Sequence, residues 1–300
     1  MKNAAASGIA LVLCAAVLWG TTGTAQSFAP AGLSPYLVGA LRLALAALFF
    51  ALYLLLTRPW LRAGSPGLPW RWILLAGLCI AAYNLCFFAG VKASSVAVGT
   101  AVAIGSGPIW AGLLQFLLSG QAPRAVWWWG TLLAVAGGSL MVVSGAQGAR
   151  ITGWGIALCL GAGLSYAAYA LINKRLVAQA APALVTAGVF TVAALIALPL
   201  AWRLSEPTVL GLGGWGVVGY LGIVATGVSY LLFSSGLRHV SGATGVTLAL
   251  GEPLTAFLLA IVVVGERPGL MAFAGLALVL AGLALVIRAE LRLASAAAGQ

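Results

Sequence analysis

Few of the 300 residues carry side chains able to do chemistry, and their types exclude most of it. Asp is absent, the four acids are all Glu, and the single His is His239. Neither a His/Cys/Asp metal set nor a carboxylate pair for acid–base work is available, so no metal, cofactor or enzymatic activity is expected. Cys14, Cys79, Cys86 and Cys159 lie in apolar runs without paired spacing and read as small packing residues. Two charges stand apart. Glu252 lies about 15 Å into its apolar run, and Arg42 about 10 Å into another, at the rise of a helix. A charge at such depth needs a partner or a cavity. The two could pair structurally, or Glu252 could bind a substrate ammonium or carry a proton. His239, at a loop end, reads as interfacial.

Aromatic and small polar residues recur around these charges at helical spacing. Trp19, Thr22 and Gln26 fall on one stripe of a helix, and a shift of 147 residues maps them onto Tyr166, Tyr169 and Asn173. A shift of 146 maps Tyr83, Asn84 and Phe87 onto Ser229, Tyr230 and Phe233. Ser106, Trp110 and Thr247 are further candidates. These stripes either line a central cavity or pack helix against helix. A cavity walled by Trp, Tyr and Phe with a few hydroxyls and amides suits a zwitterion with an apolar side chain, or a flat organic cation. Pro108 and Pro253 occupy equivalent places inside two runs, as hinges or as static kinks.

The elements that must hold these residues are membrane helices. With 63% of residues hydrophobic and 6% charged, the chain has too little charge to cover a soluble particle, and lipid must be its solvent. The net charge of +11 comes from bases scattered singly, which argues against a nucleic-acid partner. Ten apolar runs of membrane-spanning length are expected near residues 8–26, 35–56, 71–89, 96–118, 127–145, 152–172, 184–202, 212–234, 242–264 and 270–288. An all-α membrane protein with an inner-membrane, multi-pass location follows. With both termini cytoplasmic, Lys2, Arg58, Arg62, Arg71, Arg124, Lys174, Arg175, Arg238, Arg288 and Arg292 lie inside. Lys92, Arg150, Arg203 and Arg267 then lie outside, as the positive-inside rule favours. The first run is long and recurs in mid-chain, so it is expected to be a retained helix rather than a signal peptide. Gly99, Ala103, Gly107 and Ala111 form a small-residue seam on the fourth run.

The chain repeats itself. Gly8-Ile9-Ala10-Leu11 reappears as Gly155-Ile156-Ala157-Leu158, and Pro35 as Pro182. A shift of 145 pairs Pro108 with Pro253, Gly120 and Pro123 with Gly265 and Pro268, and Gly130 with Gly275. Residues 1–147 and 148–300 therefore read as two five-helix units. Because five is odd, the second enters the membrane from the opposite side, the arrangement of alternating-access transporters.

Gly251-Glu252-Pro253, Gly265-Glu266-Arg267-Pro268, Gly275 and Gly282 resemble the EamA repeat of the drug/metabolite transporter superfamily. Gly107-Pro108, Gly120-Gln121-Ala122-Pro123, Gly130 and Gly137 resemble its other copy, and Arg42 is similar to the family's second-helix arginine. Gly107 and Gln121 stand where the second copy has Glu252 and Glu266, so a role needing the acid is carried once. The resemblance covers nearly the whole chain. It implies ten helices in an inverted five-plus-five arrangement and export of amino acids or related metabolites. The aromatics are similar to those expected of YddG-type aromatic amino-acid exporters. A multidrug or quaternary-cation exporter of the same fold, a passive channel and an intramembrane enzyme are the alternatives. The last would need a nucleophile and base that the sequence lacks near Glu252.

Overall fold

The computed structural model describes residues 2–30, 33–58, 69–120, 122–144, 152–205, 210–265 and 267–296. Arg62, Gln121, Arg150 and Glu266 lie outside these described residues. In hydrocarbon a backbone must satisfy its own polar groups, so each long apolar run closes into a helix. Ten are long and apolar enough to cross a membrane: α1 Asn3–Ser27, α2 Pro35–Thr57, α3 Trp70–Ala93, α4 Val98–Ser119, α5 Ala125–Ser144, α6 Gly153–Gln179, α7 Pro182–Leu204, α8 Leu212–Leu237, α9 Gly242–Val264 and α10 Leu270–Ala296. The sixth and tenth extend past their expected ends, through Lys174 and Arg175 and through Glu290 and Arg292. Apolarity marks where lipid stops, whereas the helix continues until a cap or a breaker ends it.

Those starts and stops have local causes. The Ser95 and Ser241 hydroxyls accept hydrogen bonds from Val98 N at 3.3 Å and Thr244 N at 3.1 Å, capping α4 and α9. The same two helices end on Gly120 and Gly265, at φ 69° and 79°, a left-handed conformation that favours glycine. The repeated glycines of the breaker segments are thus C-caps. Pro35 and Pro182 sit in the first turn of α2 and α7, where a missing N–H costs nothing.

The longest glycine-mediated approach joins α5 to α10. A Cβ on Gly137 would come within 2.5 Å of the Gly275 carbonyl oxygen, and one on Gly130 within 2.8 Å of the Gly282 carbonyl oxygen. The backbones meet there with no side chain between them. The small seam on α4 is buried as well: Gly107 lies near Val246 of α9 and Tyr166 of α6, and Gly163 of α6 faces the Ala103 carbonyl. Around this frame α1 packs on α8 and α9, α3 on α6 and α7, α2 on α7 and α8, and α4 on α6 and α9. Leu48, Leu56, Leu195, Trp202 and Leu270 project outward, as a lipid-facing surface requires.

Three helices depart from α geometry. A turn at Thr21 interrupts α1, where the Thr21 hydroxyl donates to the Leu18 carbonyl at 2.6 Å and shares a 2.8 Å hydrogen bond with the Tyr220 hydroxyl. Helix α8 contains a π turn over Ile223–Val228. Helix α9 passes through a 3₁₀ turn, Ala249–Gly251, before resuming at Glu252, and ends in a π turn. Pro253 contributes to the first break because it lacks an N–H. Pro108 lies inside a helix assigned without interruption, so the two equivalent prolines have different local outcomes.

Candidate functional site

A cavity of about 460 Å³ lies between the helices, a size ordinary for a small-molecule site. Its walls reach Gln26 near the end of α1, Pro35 at the start of α2, Val91 near the end of α3, Thr100 near the start of α4 and Val142 near the end of α5. All five positions belong to the face on which α1 ends and α2 begins. The cavity therefore opens toward that face and reaches inward as far as Trp19, Tyr166 and Glu252.

Two charges share this space. Glu252 lines it at the head of the helical segment that follows the 3₁₀ turn, and its carboxylate has no hydrogen-bond or ion-pair partner among the described residues. The close approach of Gly20 fixes that segment: a Cβ on Gly20 would lie 2.6 Å from the Glu252 carbonyl oxygen. Arg42 lines the cavity from α2 and is not joined to Glu252. Its Nε donates instead to Thr226 Oγ1 at 2.9 Å, and that hydroxyl donates to the Leu221 carbonyl at 2.7 Å. The latter bond reaches back five residues across the π turn of α8, which is how Thr226 comes to face Arg42.

Aromatic side chains form the base of the cavity. Trp19 stands edge-on to Tyr230 at 5.0 Å and to Tyr166 at 6.4 Å, and Tyr83 lies 5.4 Å from Tyr166 between ring centroids. Trp19 Nε1 and the Tyr166 hydroxyl are buried without a hydrogen-bond partner among the described residues, although both residues line the cavity. Buried polar atoms of this kind ordinarily find partners, and both are closed off from the cavity space in this conformation. Asn84 is buried on the wall, where its Oδ1 would touch a Cβ placed on Gly39.

Trp19, Thr22, Gln26, Tyr83, Asn84, Phe87, Tyr166, Tyr230, Glu252 and Arg42 thus converge on one cavity. Ser106, Trp110, Tyr169 and Thr247 do not line it. The Ser106 hydroxyl bonds to the Ala103 carbonyl at 3.3 Å, in the contact between α4 and α6. Trp110 packs against the core, its Nε1 without a hydrogen-bond partner among the described residues. Thr247 is fully buried and bonds to the Ala243 carbonyl at 3.1 Å. Tyr169 belongs to a buried layer beneath the cavity, where Asn173 Nδ2 donates to the Tyr169 hydroxyl at 3.1 Å and to Ser234 Oγ at 2.9 Å. Phe233 completes this layer, within 5.3 Å of Trp19 and 6.5 Å of Tyr169. Ser229 is also buried and bonds to the Ala225 carbonyl at 2.8 Å.

Nearer the opposite face, Glu290 of α10 ties down the start of α9. Its carboxylate accepts from Ser241 N at 2.8 Å and from the Thr244 hydroxyl at 2.7 Å. Lys174 Nζ donates to the Arg238 carbonyl at 3.2 Å. His239 lies within this α8–α9 connection, with its Cβ where Gly8 of α1 approaches. Pro253 lines a smaller recess of about 90 Å³ between α4, α5 and α9, which Glu252 also borders. The sequence reading missed Thr226, Thr100, Phe88 and this recess.

The sequence model of the EamA-like transporter family matches residues 6–143 and again residues 153–288. The chain belongs to the EamA-like transporter family. It is 40% identical over 283 residues to the uncharacterized transporter YwfM of Bacillus subtilis (strain 168), covering 94% of this chain and 93% of that one. It is 31% identical over 265 residues to the threonine/homoserine exporter RhtA of Escherichia coli (strain K12), covering 86% and 83%. A solved crystal structure superposes with a TM-score of 0.82 at 20% identity, over 96% of this chain and 99% of that one, and shares its fold. This EamA-family chain is thus a multi-pass inner-membrane transporter of a small molecule. The motif glycines have structural duties in it: Gly130, Gly137, Gly275 and Gly282 let α5 meet α10, while Gly120 and Gly265 end α4 and α9.

Proposed function

We propose that the protein exports amino acids by alternating access, with Glu252 receiving the substrate ammonium inside an aromatic-walled cavity. The carrying observation is the Glu252 carboxylate, which has no hydrogen bond or salt bridge among the described residues, on the wall of a cavity at membrane depth. A carboxylate in that setting favours a cation, and surrounding aromatic faces favour the same charge. The name of the relative RhtA points to small hydroxylated amino acids, whereas the lining aromatics favour larger apolar ones, the YddG-type preference.

Residues 1–147 and 148–300 are taken as inverted copies. In support, exchanging each helix for the one five later turns the α1–α8 contact into α3–α6, α1–α9 into α4–α6, and α2–α8 into α3–α7. The α5–α10, α2–α7 and α4–α9 contacts map onto themselves. With both termini cytoplasmic, the cavity opens outward, and the layer of Tyr169, Asn173, Phe233 and Ser234 closes the inner path. The reverse state would part that layer and close the mouth around Gln26.

Purified protein in proteoliposomes, assayed for exchange of labelled phenylalanine, threonine and a quaternary ammonium ion, tests the reading. Saturable exchange of the amino acids is expected. Exchange of the quaternary ion alone would favour the multidrug reading, which the same carboxylate and aromatics also suit.

A further inference from the structure

We propose that Arg42 is the carboxylate-binding pole of the cavity, so that the site takes an amino acid by both ends: α-carboxylate on Arg42 and α-ammonium on Glu252. The inference rests on the amino-acid export reading and assigns each end of the substrate to a residue. Of the five guanidinium N–H donors, the Nε–H is the one engaged, by Thr226 Oγ1 at 2.9 Å. The Nη groups have no hydrogen-bond or ion-pair partner among the described residues, on a side chain that lines the cavity. With Nε engaged, the edge formed by the two Nη groups still presents two parallel N–H donors, enough to hold a carboxylate end-on.

A structural ion pair with Glu252 would account for both charges, yet no salt bridge joins the two side chains among the described residues, and both line the one cavity. A cationic fork and an anionic carboxylate that line one cavity without a salt bridge between them offer opposite charges, and a zwitterion supplies the complement of both. Occupancy would pair both charges, so that the filled cavity encloses no unpaired ion when the helices close over it. The second independent observation is the π turn over Ile223–Val228. It turns Thr226 toward Arg42 and fixes the fork's orientation, and such irregular turns within helices frequently occur at functional sites.

Specificity follows from this arrangement. An amine or an amino-acid amide offers Glu252 its ammonium but gives Arg42 no anion, as does a quaternary ammonium ion. The test measures dissociation constants from ligand-induced thermal stabilisation of the purified protein in detergent. Its ligands are phenylalanine, threonine, phenylalaninamide, phenethylamine and tetramethylammonium. In the unaltered protein, phenylalanine should bind about ten- to a hundred-fold more tightly than its amide or amine, the range of a charge-assisted hydrogen-bond pair. Arg42→Gln should weaken phenylalanine binding by a similar factor and leave phenethylamine unchanged, which also certifies the variant's fold. Thr226→Val keeps the charge but releases the fork, and should give a smaller loss confined to the amino acids. Equal binding of acid, amide and amine by the unaltered protein would overturn the assignment. So would an Arg42→Gln variant that is folded by its thermal transition and loses all ligands alike. A protein that binds tetramethylammonium but no amino acid refutes the export reading itself, a different outcome from amino-acid binding indifferent to Arg42.

Discussion

Replacing Glu252 with Gln isolates its charge, because the two side chains have nearly the same shape. The Glu252 carboxylate has no hydrogen-bond or ion-pair partner among the described residues, so the substitution leaves no orphaned donor behind. The substitution breaks no salt bridge, since Arg42 bonds to Thr226, so the fold should change little. What is lost is the attraction for a substrate ammonium. A charge-assisted hydrogen bond contributes about 1.5–3 kcal/mol, which corresponds to roughly ten- to a hundred-fold in affinity. The expected result is an exchange rate at limiting substrate reduced by about that factor, with an unchanged thermal transition and unchanged yield in the membrane. The assay is the initial rate of labelled amino-acid exchange in proteoliposomes, normalised to reconstituted protein. Exchange by Glu252→Gln within about two-fold of the unaltered rate would refute the reasoning, since the predicted interaction is worth well over that factor.

Three further outcomes follow from the geometry. Trp19→Ala or Tyr166→Ala should change the ratio of phenylalanine to threonine exchange, because both rings form the base of the cavity; unchanged ratios in the exchange assay would make them packing residues only. Gly137→Val should lower the thermal transition or abolish accumulation, with a cost of more than about 2 kcal/mol from driving a side chain into the α10 backbone, whereas Gly161→Ala, with open space around it and away from the cavity, should be silent. In a protein whose four native cysteines are replaced, Ser234→Cys should resist an impermeant thiol reagent applied from the N-terminal side without substrate and react during exchange; equal labelling in both conditions would contradict a closing layer.

The ten helices were legible because hydrocarbon permits so few backbone solutions that length and apolarity nearly suffice. The charges at depth were legible for the same reason. Sequence could not separate cavity wall from closed layer. Tyr166 and Tyr169 lie on one stripe, one turn apart, yet Tyr166 lines the opening and Tyr169 is sealed below it. A stripe runs the full length of its helix, while the conformation decides which part is open. Thr226 was hidden because a hydroxyl on a membrane helix usually bonds back to its own backbone. It does so here, but across a π turn whose presence no residue pattern announces. Pro108 and Pro253 are equivalent in sequence, but a 3₁₀ turn precedes only the second, next to Glu252. Composition likewise could not reveal that Arg42 bonds to Thr226 rather than Glu252, because that depends on how α2 meets α8.

Counterflow tests the account most directly. Proteoliposomes preloaded with unlabelled threonine or phenylalanine are placed in a trace of the labelled amino acid, and internal label is followed over time. A carrier that exposes one site to each side in turn should accumulate label transiently above its external concentration, and the overshoot should disappear in the empty-vesicle control. A monotonic rise to equilibrium, independent of preloading, would contradict alternating access through this cavity.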